Sequence, residues 1–89
     1  EWQRRLDAAR ARLARAKEEQ QLAEDELTLL QSQQARELAA GTTGEAAAKI
    51  ADKKAEVDSK REATEKAQKE LDDLEKKFEQ SGATGTSKQ

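Results

Sequence analysis

The sequence predicts an all-α fold, in which a chain of 89 residues forms a two-helix antiparallel coiled-coil hairpin. Apolar residues recur at seven-residue spacing in each half of the chain, and a short segment that contains two glycines separates the halves. Charged residues make up 40% of the chain, and Trp2 and Phe78 are its only aromatic residues. Because so few large apolar groups cannot build a compact globular core, the composition favours long helices, with a disordered chain as the alternative.

The first helix is predicted over residues 1–40, where strong helix formers occur without a proline. Its apolar positions form two rows that lie on one side of a helix. The rows are Leu6, Leu13, Gln20, Leu27, Gln34 and Trp2, Ala9, Ala16, Ala23, Leu30. Together they form the a and d seam of a coiled coil, interrupted by two glutamines.

The second helix is predicted over residues 45–80 and has the same kind of pattern. Its rows are Ile50, Val57, Thr64, Leu71, Phe78 and Ala46, Lys53, Lys60, Ala67, Leu74. The two lysines of the second row can cover apolar surface with their stems while the amines reach water. Residues 81–89 read SGATGTSKQ, and this small, polar segment predicts a disordered tail.

The turn is predicted at Gly41, Thr42, Thr43 and Gly44. Gly41 follows the last apolar position and can adopt the left-handed conformation that ends many helices. Thr42 and Glu45 have the spacing of a capping box, which makes Thr42 the predicted N-cap of the second helix. With Thr43 as the cap instead, that helix would start one residue later. Adjacent stop and start signals predict a tight connection between the helices.

The distribution of charge predicts that the helices are antiparallel. Residues 1–17 carry a net charge of +4, and residues 18–40 carry −5. Residues 45–61 and 62–80 carry +1 and −3. Folding the chain back at Gly41 brings blocks of opposite sign together, whereas a parallel, in-register homodimer would place each block beside its own copy. The hairpin is therefore favoured over the parallel dimer.

The register of the two helices follows from matching large residues with small ones. In the preferred register Trp2 lies opposite Phe78 and Leu13 lies opposite Ala67. A register shifted by seven residues, with Ala9 opposite Phe78, is the alternative. The residues that we expect in the interaction seam are Trp2, Leu6, Leu13, Leu27, Leu30, Ile50, Val57, Leu71, Leu74 and Phe78.

Leu22 and Leu29 lie seven residues apart on a stripe beside the seam. Either they widen the buried face of the hairpin, or they form a docking face. A docking face would bind a second hairpin, giving a four-helix bundle, or another helical protein. The predicted partner is accordingly a second copy of this chain or a different helical protein, and no small-molecule substrate is expected.

The sequence offers no residues for catalysis, for a cofactor or for a metal site of the usual kinds. Histidine and cysteine are absent, which removes imidazole and thiol chemistry. The acidic clusters at 24–26 and 72–75 are predicted to be solvated helix faces, since a helix cannot wrap its carboxylates around one ion. No apolar run reaches the ~20 residues of a membrane span. We expect a non-catalytic protein.

A nucleic-acid-contacting arm, as in the hairpins of some tRNA synthetases, is a weaker alternative. It would use the arginines at positions 4, 5, 10, 12 and 15. These arginines are scattered around the helix, and the acidic end of the second helix faces them in the hairpin. We therefore expect them to form ion pairs within the molecule rather than with phosphates.

Two segments resemble known families in composition. The run LDAARARLARAKEEQQLAEDELTLLQ resembles the helical hairpins of bacterial periplasmic efflux adaptors, which implies an arm of a larger, bacterial protein. The run AAAKIADKKAEVDSKREATEKAQKE resembles late-embryogenesis-abundant proteins, which implies a disordered, stress-protective chain. Because the matched apolar rows serve no purpose in a solvating chain, we expect a structural module that acts as a spacer, a docking arm or an oligomerisation element.

Overall fold

The computed structural model describes residues 1–42 and 44–81, and this part of the chain consists of two helices. Helix α1 spans Trp2–Ala39, and helix α2 spans Ala46–Gln80. They pack against each other along an elongated hairpin, and no strand occurs in the described part. The predicted all-α fold of two helices in a hairpin is confirmed.

Helix α1 has a specific hydrogen-bonded cap at each end. At its start, a side-chain oxygen of Glu1 accepts a hydrogen bond from the backbone N–H of Arg4 at 3.1 Å. At its end, Gly41 has a φ of 77° and donates its N–H to the carbonyl of Leu38 at 3.0 Å. The N–H of Thr42 donates to the carbonyl of Glu37 at 2.9 Å. These two bonds form a Schellman motif, which requires a left-handed residue at the position of Gly41.

The prediction that Thr42 caps α2 is wrong. The Thr42 hydroxyl donates to the carbonyl of Glu37 at 3.0 Å, so both the backbone and the side chain of Thr42 serve to close α1. The N-cap of α2 is Glu45, whose side chain makes no capping hydrogen bond. That side chain instead lies 3.7 Å from the amine of Lys49, one helical turn further on. The alternative cap, Thr43, lies outside the described residues.

Helix α2 ends at Gln80, and Ser81 is its C-cap. The Ser81 N–H donates to the carbonyl of Lys77 at 2.8 Å, and its hydroxyl donates to the carbonyl of Phe78 at the same distance. The first residue of the predicted tail therefore completes the helix. The rest of that prediction, residues 82–89, lies outside the described residues.

The main hydrophobic cluster lies in the half of the hairpin nearer to the chain ends. Its buried members are Leu6, Ala9, Leu13, Ala67 and Leu71, and Ala16, Leu74 and Phe78 pack against them. This arrangement is the preferred register, in which Leu13 lies opposite Ala67. The register shifted by seven residues is not adopted, because Phe78 packs against Trp2.

Candidate functional site

An aromatic pair joins α1 to α2 at the end of the hairpin opposite the turn. The rings of Trp2 and Phe78 lie 6.3 Å apart, centroid to centroid, at an interplanar angle of 75°. This edge-to-face arrangement is the geometry that aromatic pairs favour. The guanidinium carbon of Arg5 lies 5.2 Å from the centroid of a Trp2 ring and adds a cation–π contact. The pair holds the two ends of the helical hairpin together.

The residues predicted for the interaction seam are all shielded from solvent to some degree. Five are buried: Leu6, Leu13, Ile50, Val57 and Leu71. Five are half-buried: Trp2, Leu27, Leu30, Leu74 and Phe78. Since the described part contains only two helices, this burial arises where one helix covers the other. The seam is therefore occupied by the hairpin itself and is not a free surface.

Lys53 lies at a seam position in the half of the hairpin nearer to the turn. Its amine donates to a carboxylate oxygen of Glu26 on α1 at 2.7 Å and to one of Glu56 on α2 at 2.9 Å. Its side chain is only 20% exposed. The hydrogen bond to Glu26, followed by that to Glu56, raises the pKa of the Lys53 amine above 10.5, while desolvation opposes the shift. The hydrogen bond from Lys53 likewise lowers the pKa of Glu56. We call these three residues the Lys53 clamp.

Three further ion pairs join α1 to α2 in the described part. The amine of Lys60 lies 3.1 Å from a carboxylate oxygen of Glu19. The Arg61 guanidinium lies 3.3 Å from Glu24, and Arg12 lies 3.7 Å from Glu70. Each pair joins two sequence blocks of opposite net charge, in the manner that the charge distribution predicts.

Glu24 illustrates how a helix neighbour and a partner helix act on the same carboxylate. A hydrogen bond from Gln20, at 3.0 Å, is the main cause that lowers the pKa of Glu24. The hydrogen bond and the positive charge of Arg61 lower this pKa further, while desolvation opposes them. The charged form of Glu24 is therefore stabilised both within α1 and from α2.

At the turn, Gly44 and Glu37 lie in close contact. A Cβ atom at position 44 would overlap the carboxylate of Glu37. That carboxylate accepts a hydrogen bond from the side-chain amide of Gln33 at 3.1 Å. Leu38, beside it, is 65% exposed. Beside the turn, α1 therefore has one exposed leucine. The backbone of the turn is held mainly by hydrogen bonds to the last residues of α1.

Leu22 and Leu29, the predicted docking face, are 60% and 69% exposed. The alternative, that they widen the buried face of the hairpin, is therefore wrong for the single chain. The two side chains lie on the same side of α1, because seven residues make almost two full turns. Leu38 follows Leu29 by nine residues, which is two and a half turns, and projects from the opposite side of α1.

The acidic side chains of the described helices do not come together in a metal-binding cluster. No group of three or more acidic residues in this part could hold a metal ion. A groove between the helices is lined by three alanines and five charged side chains: Ala16, Ala63, Ala67, Arg12, Arg15, Glu19, Lys66 and Glu70. Neither described helix has a stretch that is long and apolar enough to cross a membrane.

Three of the six arginines of α1 make side-chain contacts within the molecule. Arg10 lies 3.4 Å from Asp7, Arg12 pairs with Glu70, and Arg5 stacks on Trp2. No ion pair in the described part involves the three that remain, at positions 4, 15 and 36.

Sequence reasoning missed two features of the surface and the seam. Leu38 was not singled out, although its position outside both apolar rows indicates that it lies outside the seam. The double engagement of Lys53 was also missed. The contact of Lys53 with Glu56 could have been predicted, because residues three apart are neighbours on the surface of a helix.

No protein-family model matches the chain, and neither a curated protein nor a solved structure is similar to it at a significant level. The two resemblances in composition therefore have no match to support them. Any functional conclusion has to depend on the geometry of the hairpin and on its exposed residues.

Proposed function

We propose that this chain is a non-catalytic interaction module, an antiparallel coiled-coil hairpin that serves as a docking arm. The observation that carries the proposal is the combination of a closed seam and an exposed apolar stripe. The large seam residues pack between α1 and α2, whereas Leu22 and Leu29 remain mostly exposed. Exposed apolar residues with a common orientation are typical of a surface that binds another protein.

The shape of the hairpin supports a role as an arm. The contact between Trp2 and Phe78 keeps the two ends of the hairpin together. The turn lies at the far end of α1, whose 38 residues span about 57 Å at 1.5 Å per residue. A hairpin with adjacent ends can be attached to, or inserted in, another domain while its far end reaches a distant partner.

Distances between spin labels test the hairpin on which this proposal depends, because the chain has no cysteine and accepts labels at chosen sites. One labelled variant carries Gln3→Cys and Gln80→Cys, and the matched variant carries Gln3→Cys and Thr42→Cys. We expect a short, narrow distance for the first pair and a distance of about 55–60 Å for the second.

Broad distributions for both pairs would overturn the proposal and would support the disordered, stress-protective alternative. The same samples, diluted with unlabelled chain, separate distances within one molecule from distances between molecules. If the short distance disappeared on dilution, the helices would be paired between chains, and an oligomerisation element would replace the docking arm.

A further inference from the structure

The exposed apolar face of α1 consists of Leu22 and Leu29, which we call the leucine stripe. Their side chains are 60% and 69% exposed. Their seven-residue separation places them about 10.5 Å apart along the helix axis. This spacing equals one heptad, so two leucines of a second helix that lies alongside can pack between them.

Four carboxylates surround the leucine stripe. Each lies three or four residues from a stripe leucine, which is the spacing of neighbours on a helix surface. They are Glu18, Glu19, Asp25 and Glu26. Glu19 and Glu26 already bind lysines of α2, but no ion pair in the described part involves Glu18 or Asp25. The residues that flank the stripe are therefore acidic, and two of them, Glu18 and Asp25, are not neutralised by an ion pair in the described part.

Two arginines border the stripe at its ends. Arg15 precedes Leu22 by seven residues, and Arg36 follows Leu29 by seven, so the four residues form one row along α1. Both arginines are exposed, and no ion pair in the described part involves either of them. The row is therefore positive at each end, apolar in the middle and acidic at its flanks.

This order of charges argues against a second copy of the chain as the occupant. In an antiparallel pair centred on the stripe, Arg15 would face Arg36 of the copy, and Asp25 would face Glu26. In a parallel pair each residue would face itself. Both symmetric arrangements place the arginines at the ends of the row opposite arginines and the acidic residues between the two leucines opposite acidic residues, which is destabilising.

We propose that the leucine stripe binds a basic amphipathic helix of another protein. This helix carries two apolar anchors one heptad apart, Lys or Arg beside them, and an acidic residue one heptad beyond each anchor. The assignment rests on the proposed function as a docking arm and specifies the chemistry of its partner. Basic side chains would neutralise Glu18 and Asp25, while acidic ends would pair with Arg15 and Arg36.

Two synthetic helical peptides test the inference against the full 89-residue chain. The first has two leucines seven residues apart, lysines on both flanks and a glutamate one heptad beyond each leucine. The second is its charge inverse, with every lysine and glutamate exchanged. Fluorescence anisotropy of the labelled peptides measures binding. We expect the first peptide to bind at least about tenfold more tightly than the second, with a difference that shrinks at high salt.

Matched leucine variants locate the binding face. We expect the double variant Leu22→Ser and Leu29→Ser to weaken binding of the first peptide at least about tenfold, because both anchors are lost. The single variant Leu38→Ser removes an equally exposed leucine from the opposite side of α1 and should leave binding within about twofold.

Several outcomes would overturn the inference: equal affinity for the two peptides, no binding of the basic one, or an equal loss in Leu38→Ser. A dimer of the chain that the double variant abolishes would make a second copy the occupant instead. The spin-label distances, measured on the same variants, report the hairpin independently. An intact hairpin that does not bind the basic peptide would refute this partner and leave the docking arm standing.

Discussion

At the scale of single residues, Lys53 occupies a position where a coiled coil ordinarily has an apolar side chain. Two carboxylates, one from each helix, satisfy its amine, so burial of the stem does not leave the charge unpaired. A clamp of this kind stabilises the hairpin only while its members are charged. It therefore makes the stability of the hairpin dependent on pH.

The sign of this dependence follows from the direction of each shift. The pKa values of Glu24 and Glu56 are lowered from 4.5, so their contribution is present above about pH 4.5 and is lost as the pH falls through the lowered values. The pKa of Lys53 is raised from 10.5, so its contribution is present below pH 10.5 and is lost as the pH rises through the raised value.

The variant Glu56→Gln tests this dependence. We expect its melting temperature to be lower than that of the parent chain at pH 7, because the clamp loses one charge. Below the lowered pKa of Glu56 the difference should vanish, since a protonated Glu56 resembles glutamine. Thermal melts followed by circular dichroism at several pH values measure it. Glu62→Gln is the control, because no ion pair in the described part involves Glu62, and a similar pH-dependent difference there would contradict the assignment.

The two glycines of the turn provide a second test at this scale. Gly41→Ala should destabilise the hairpin by about 1 kcal/mol, because a Cβ is strained at a φ of 77°. In a chain of this size that corresponds to a fall of about 4–8 °C in melting temperature. Gly44→Ala should change stability by less than about 0.5 kcal/mol, since its Cβ displaces only the flexible end of Glu37. Equal losses in both variants would show that the left-handed turn is not at Gly41.

At the scale of the helix, the seam and the leucine stripe differ in what their leucines contribute. Leu13 and Leu71 are 8% and 7% exposed and belong to the same cluster, whereas Leu22 is mostly exposed. We expect Leu13→Ala and Leu71→Ala each to destabilise the hairpin by about 2 kcal/mol or more. Leu22→Ala, the same chemical change on the surface, should cost no more than about 0.5 kcal/mol. Urea titrations followed by circular dichroism measure the free energy of unfolding of the three variants. Equal destabilisation in all three would refute the seam.

The helices and the turn of this chain could be predicted from its sequence, but the cap of α2 could not. Both helices can be predicted from their apolar rows, and the role of Gly41 can be predicted from its place directly after the last apolar position before the turn. The cap of α2 cannot, because Thr42 has two uses that its spacing to Glu45 cannot distinguish. Its hydroxyl can bond forward to α2 or backward to α1, and the Schellman motif at Gly41 brings it close to the carbonyl of Glu37.

At the scale of the whole molecule, the antiparallel arrangement could be predicted because charge blocks persist over whole helices. The four ion pairs between α1 and α2 in the described part all join blocks of opposite sign. The exposure of Leu22 and Leu29 could not be predicted in the same way. A row beside a seam is buried or exposed according to whether a third element covers it, and no property of the row itself specifies that element.

The position of the main hydrophobic cluster also bears on the order in which the hairpin forms. Leu30 and Ile50 are 20 positions apart in the sequence, while Leu6 and Leu71 are 65 apart. Contacts beside the turn close short loops and cost less entropy, so pairing is expected to start there and to extend toward the chain ends. The seam beside the turn contains the buried Ile50 and Val57 as well as the Lys53 clamp. The five buried residues of the main hydrophobic cluster meet only when the first third of α1 pairs with the last third of α2. A partly paired chain therefore lacks the main hydrophobic cluster until its ends meet, and we expect folding of this long, thin molecule to be close to all-or-none.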